Sequence, residues 1–234
     1  MRYAKLGTVA AGSVVMLFGA TAALAEGGPY QAFHNGVGSS GSGRGASTGS
    51  ASADPAGHVR TLAEAADPGP NPYGVPATYQ AYTWELKYFP GRFAPGPYVA
   101  TVTLSDVRGA ARATWPGRAD ATLNVLVRCN GCRDMQSPLV EIVSSVPRLG
   151  HAVVGAGSVS ATFKFNLDRS WLGLVIGAGT QSYATSGVVT TFGTTVGSGT
   201  ATLNGTVTSI SLRRSSPTAA EQPPEISLSR EMTP

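Results

Sequence analysis

Between residues 76 and 213 the chain alternates large apolar and polar side chains with a period of two, the signature of half-buried β-strands. Tyr82, Trp84, Leu86 and Tyr88 stand in one phase and Thr83, Glu85 and Lys87 in the other, which predicts that the aromatic set faces the core. Tyr98 to Leu104, Ala121 to Val127 and Val159 to Leu167 repeat the pattern. Leu139–Val146 and Trp171–Ile176 are more continuously apolar and predict strands buried on both faces. Turn signals at Pro90-Gly91, Pro95-Gly96-Pro97, Pro116-Gly117 and Asn130-Gly131 separate these runs, and no stretch sustains a 3.6 period. The pattern predicts an all-β, antiparallel β-sandwich or jelly-roll-like domain. A closed barrel is the second architecture. A membrane barrel fits poorly, because the alternate faces carry Thr, Lys, Glu and Arg rather than a lipid-facing apolar band.

Asn204-Gly205 lies between Thr200–Leu203 and Thr206–Thr208 and predicts a two-residue hairpin. That register would divide Thr200 and Thr202 from Thr206 and Thr208 onto opposite faces, arguing against a single threonine array of the ice-binding kind.

The ends of the chain read differently. Residues 1–25 have a basic start (Arg2, Lys5), an uncharged run and Ala23-Leu24-Ala25, which together predict a cleavable export signal. Export implies a secreted or periplasmic protein without a membrane span once the signal is removed, and an environment that permits disulfides. Residues 26–75 are rich in Gly, Ser and Pro and short of apolar clusters, and predict a disordered spacer with at most a helical turn over Arg60–Ala66. Residues 214–234 predict a disordered tail, leaving 76–213 as the folded domain. Charge divides along the same boundaries: the domain has eleven basic residues, nine of them Arg, against six acids, whereas both ends are slightly acidic. Such a balance suits an anionic partner such as an acidic polysaccharide or envelope surface, and gives no motif for nucleic acid.

The chemistry-bearing residues are few. Cys129 and Cys132, the two cysteines, flank Asn130-Gly131 and predict a disulfide across a tight hairpin. In that hairpin Arg128 would oppose Arg133, the like charges either screened by Asp134 and solvent or forming a small anion-binding tip. Trp115, beside Pro116-Gly117 and between Arg112 and Arg118, is the tryptophan expected to be exposed, and with those arginines suits a glycan surface. Nothing calls for a metal or a cofactor. Gly36-x-Gly38-x-x-Gly41 and Gly45-Ala46-Ser47-Thr48-Gly49 match dinucleotide and nucleophile-elbow strings, but neither sits at a strand–helix junction. His151 is the single histidine of 76–213, and with Asp168 or Asp120 would anchor a hydrolase as a further alternative; no spacing brings these groups together. The chain therefore predicts a non-catalytic protein with a structural or binding role at the cell envelope or extracellular matrix. The alternatives are a carbohydrate- or anionic-glycan-binding module and a secreted hydrolase, and self-association through a sheet edge is a further possibility.

Overall fold

A computed structural model describes residues 30–39, 45–67, 76–130, 132–145, 150–154, 157–187 and 197–215. They form twelve strands: β1 Gln31–Ser39, β2 Ala46–Ala53, β3 His58–Asp67, β4 Thr78–Phe93, β5 Gly96–Thr114, β6 Arg118–Arg128, β7 Met135–Gln136, β8 Val140–Ser144, β9 Gly150–Val154, β10 Val159–Leu167, β11 Trp171–Thr185 and β12 Gly197–Arg214. The strands make two antiparallel sheets packed face to face. The first runs β1-β4-β11-β6, with β7 and β8 both along the far side of β6. The second runs β2-β3-β12-β5, with β9 and β10 both along the far side of β5. This is the expected antiparallel sandwich, not a closed barrel. Among the described residues no helix is long and apolar enough to cross a membrane.

Two expectations are corrected. The stretch read as a disordered spacer contains β1, β2 and β3, so the sandwich begins well before residue 76. Its side chains are too small to announce a core, but the ladders bind them: β3 pairs with β2 on one side and β12 on the other, and β1 pairs with β4. Residues 60–66, Ala-rich and helix-like in isolation, are held extended by those two ladders. Asn204-Gly205 is not a turn. β12 runs straight through it, paired with Arg60 and Arg108 at Asn204, and Gly205 does not take the positive φ that a type I′ turn requires. Instead Asp106 and Val107 of β5 bulge opposite Gly205, with Asp106 at φ 53°. As a result Thr200, Thr202 and Thr206 share the outer face rather than dividing between faces. The proposed signal 1–25 and the tail beyond residue 215 lie outside the described residues.

The interior has two parts. Around β5, β6 and β10 it is filled by Leu104, Leu123, Val125, Leu174, Ile176, Leu203 and Ile210, with Phe165 stacked on Tyr98. Toward β2, β3 and the end of β11 it narrows to Ala63, Ala65, Ala77 and Ala184. There Thr61 and Ser182 touch across the two sheets at 2.7 Å, and Thr83 bonds Thr180. Side chains this short bridge the layers only where they stand closer than the usual ~10 Å. At Gly199 the approach reaches the backbone: a Cβ there would lie 3.0 Å from Thr185 O and closer still to Arg118 O. Tyr79 enters this narrow part because Gly36, Gly38 and Gly49 leave room for its ring.

The narrow interior also holds Glu85, fully buried, with neither carboxylate oxygen paired. Burial, reinforced by the Asp54 charge, raises its pKa from 4.5 to about 8. The folded protein therefore holds a proton that the unfolded chain releases between those two values. Stability is present in full below about pH 4.5 and is lost as pH rises through about 8. Two predictions follow from this interior. The melting temperature of the wild type falls between pH 5 and pH 8, by up to about 1.4 kcal/mol of stability per pH unit, whereas Glu85→Gln holds a flat profile across the window. A wild-type profile that is flat or rising there contradicts the assignment. In denaturant titration, Gly199→Ala costs about 1–3 kcal/mol through overpacking. Gly205→Ala, whose Cβ would meet its nearest atom at an ordinary 3.4 Å, changes stability by less than about 1 kcal/mol.

Candidate functional site

The predicted phase of β4 is inverted. Ala81, Thr83 and Glu85 point into the sandwich, opposite Ser182, Thr180 and Ala178 of β11. Lys87 also turns inward, its Nζ donating to Ile210 O of the opposite sheet at 3.3 Å. Tyr82, Trp84, Leu86 and Tyr88 therefore stand on the outer face of the first sheet.

On that outer face β11 supplies a track of glycines for the β4 side chains to lie across. A Cβ on Gly179 would meet Cζ3, Cη2 and Cε3 of Trp84 at 2.5, 2.6 and 2.8 Å, and one on Gly177 would meet Leu86 and the edge of Trp84. Tyr88 lies in the same way over Gly173, which adopts φ +76°. The rows then continue in register onto β1 and β6. Phe33, Trp84, Gly179 and Asn124 form one row, and Asn35, Tyr82, Gln181 and Thr122 form the next. No described strand packs over this face, yet Tyr82, Leu86 and Leu126 on it are buried and Trp84 is part-buried, while Tyr88 is exposed.

The polar groups of β6 in these rows are buried and not all satisfied. Asn124 is 9% exposed and Thr122 is 6% exposed. Neither Asn124 Oδ1 nor Thr122 Oγ1 has a hydrogen-bond partner, although buried polar atoms are usually paired. Asp120, one row further, is bound by Arg118, whose Nε donates at 2.8 Å and whose Nη2 stands at 2.7 Å. Burial raises the Asp120 pKa, and Arg118 opposes the rise. Asn124 Oδ1 and Thr122 Oγ1 are shut off from solvent, so what this face offers a sugar ring is the aromatic surface of Trp84 and Tyr88.

The residues singled out from sequence are scattered instead. Trp115 is exposed at 71%, in the turn between β5 and β6. Arg112 and Arg118 lie on the outer faces of different sheets, so they do not converge on it. Cys129 and Cys132 do form the disulfide, with Cα atoms 5.3 Å apart. The anion-binding tip beside it does not form. The last ladder pair is Val127 with Met135, which brings Asp134 to Arg128 and leaves Arg133 out of the ladder. Asp134 takes Arg128 in a fork, accepting from Nη2 at 2.5 Å and from Nε at 3.0 and 3.1 Å. His151 pairs with Arg112 in β9, while Asp168 follows Leu167, which pairs with Gly96 at the other end of β5. Sixteen residues of strand, from Gly96 to Arg112, separate the two, on the order of 50 Å. Among the described residues no three His, Cys, Asp or Glu side chains cluster as metal ligands would.

The aromatic face was legible in one signal that went unused: Gly177 and Gly179 alternate within a strand, and glycine in a strand interior marks close approach by another group. In comparisons with known proteins, no family model matches the chain and no curated protein matches it. Among solved structures, one described as "CBM4 structure and function" aligns over 70% of this chain and 78% of that chain, at 14% identity and a TM-score of 0.21.

Proposed function

We propose that this protein is an exported, non-catalytic glycan-binding β-sandwich whose ligand lies on the outer face of the first sheet. The observation that carries the reading is Trp84, laid across Gly177 and Gly179 on a face that no described strand covers. Its indole and the half-exposed Tyr88 supply stacking surface. A polysaccharide chain suits this surface, since its rings present apolar C–H faces that stack on aromatic side chains. An uncharged chain fits best, because Arg118 and Arg128 on this face are each neutralised by an aspartate. A binding role at the envelope or in the extracellular matrix accords with the export signal read in residues 1–25.

The test is affinity electrophoresis in gels containing hydroxyethylcellulose or xylan. The wild type is retarded by at least one of these. Trp84→Ala binds roughly thirty-fold more weakly, as expected for removal of a central aromatic anchor, and Trp115→Ala binds like the wild type. Unaltered retardation of Trp84→Ala, or loss in Trp115→Ala, overturns the assignment of this face.

A further inference from the structure

We infer that the opposite face of the sandwich, the outer surface of the second sheet, is a separate binding site for an anionic polysaccharide. Continuity of β12 through Asn204 makes this face. Asn204 pairs with Arg60 of β3 on one side and with Arg108 of β5 on the other, so the two guanidinium-bearing residues flank one amide in a single row. Two strand spacings set their Cα atoms about 10 Å apart. Arg112 follows on β5, on the same face.

Charge is distributed unequally between the two faces. On the first sheet the β6 arginines are held, Arg118 by Asp120 and Arg128 by Asp134, and Arg92 at the end of β4 makes no ion pair with any described residue. On the second, Arg60, Arg108 and Arg112 are exposed and make no ion pair with any described residue. The nearby carboxylates are otherwise placed. Asp54 is engaged by His58 Nδ1 at 2.9 Å, and Asp106 accepts from Ser105 at 3.1 Å. Glu64 lies about 13 Å along β3 from Arg60 but shares a row with Arg112 across Thr200, so the site rests on Arg60 and Arg108. Arginines left unpaired at strand spacing are matched to carboxylate or sulfate groups repeated along a chain, which they bind through paired N–H donors.

The surroundings favour a sugar polymer over other polyanions. The next row carries Ala110, Thr202 and Leu62, small or part-buried groups that leave the arginines accessible. None of the exposed large hydrophobic side chains Val37, Tyr88, Trp115, Leu139 or Leu172 lies on this face. Among the described side chains it presents neither an aromatic platform of the kind that stacks nucleic-acid bases nor an apolar wedge of the kind that enters a membrane.

The experiment titrates the full-length protein with polygalacturonate and dextran sulfate, with neutral dextran, phosphatidylglycerol vesicles and duplex DNA in parallel, at low and high salt. Binding to an acidic polysaccharide, weakened by salt and by about tenfold in Arg60→Gln/Arg108→Gln, supports the site. Arg60→Lys/Arg108→Lys retains the charge but not the paired donors and binds between the wild type and the Gln variant, which separates lost contacts from lost folding. Trp84→Ala binds polygalacturonate like the wild type, so this site and the aromatic face stand or fall independently. No binding to either acidic polysaccharide, unchanged binding by the Gln variant, or tighter binding to vesicles or DNA overturns the inference.

Discussion

The close approach of the two sheets at one end is the constraint on which the rest of the structure depends. Where Thr61 meets Ser182 and Gly199 meets the backbone of the opposing sheet, the interior admits Ala, Ser and Thr and little else. β4 crosses from this narrow part into the wider one. In the narrow part it sends Ala81 and Thr83 inward and Tyr82 and Trp84 outward, while Tyr79 enters only where Gly36, Gly38 and Gly49 make room for its ring. Glu85 is drawn inside as a consequence, and its raised pKa records the cost of that placement. Outside, the displaced aromatics need a floor, and the glycines of β11 provide it.

The two outer faces then acquire different characters. The first is aromatic, lined with amides and hydroxyls, and its β6 arginines are neutralised. The second is hydroxyl-rich: Thr101 bonds Thr162 and Thr103 bonds Ser160 across β5 and β10, while the unpaired arginines occupy the part crossed by β3, β12 and β5. A sandwich built this way presents one surface suited to stacking and another suited to anions. Both are supported on regular strands rather than on loops, which holds their spacing fixed.

The all-β class, the disulfide and most strands of 76–213 were legible because period-two alternation and turn residues report local structure directly. What alternation cannot report is which phase faces in. For Tyr82, Trp84 and Leu86 the usual assumption that large apolar side chains are buried in the core gave the wrong face, because the size of the interior is set by distant residues such as Ala63 and Ala184. β1 to β3 were missed for a related reason. Strands such as Ala46–Ala53 owe their order to ladders on neighbours far along the chain, and composition alone resembles a linker. Asn204-Gly205 misled because a strong local turn preference is overridden when both flanks of a strand are already paired. The arginines near Trp115 and the disulfide were close in sequence but not in space, whereas Arg60 and Arg108 were the reverse.

Hydroxyl-radical footprinting of the protein with and without hydroxyethylcellulose tests the outward, ligand-ready placement of β4 most directly. The account predicts that Trp84 and Tyr88 are oxidised in the free protein and protected by the polysaccharide, while Trp115 reacts equally in both. An unreactive Trp84 in the free protein, or protection of Trp115 with none at Trp84, contradicts it.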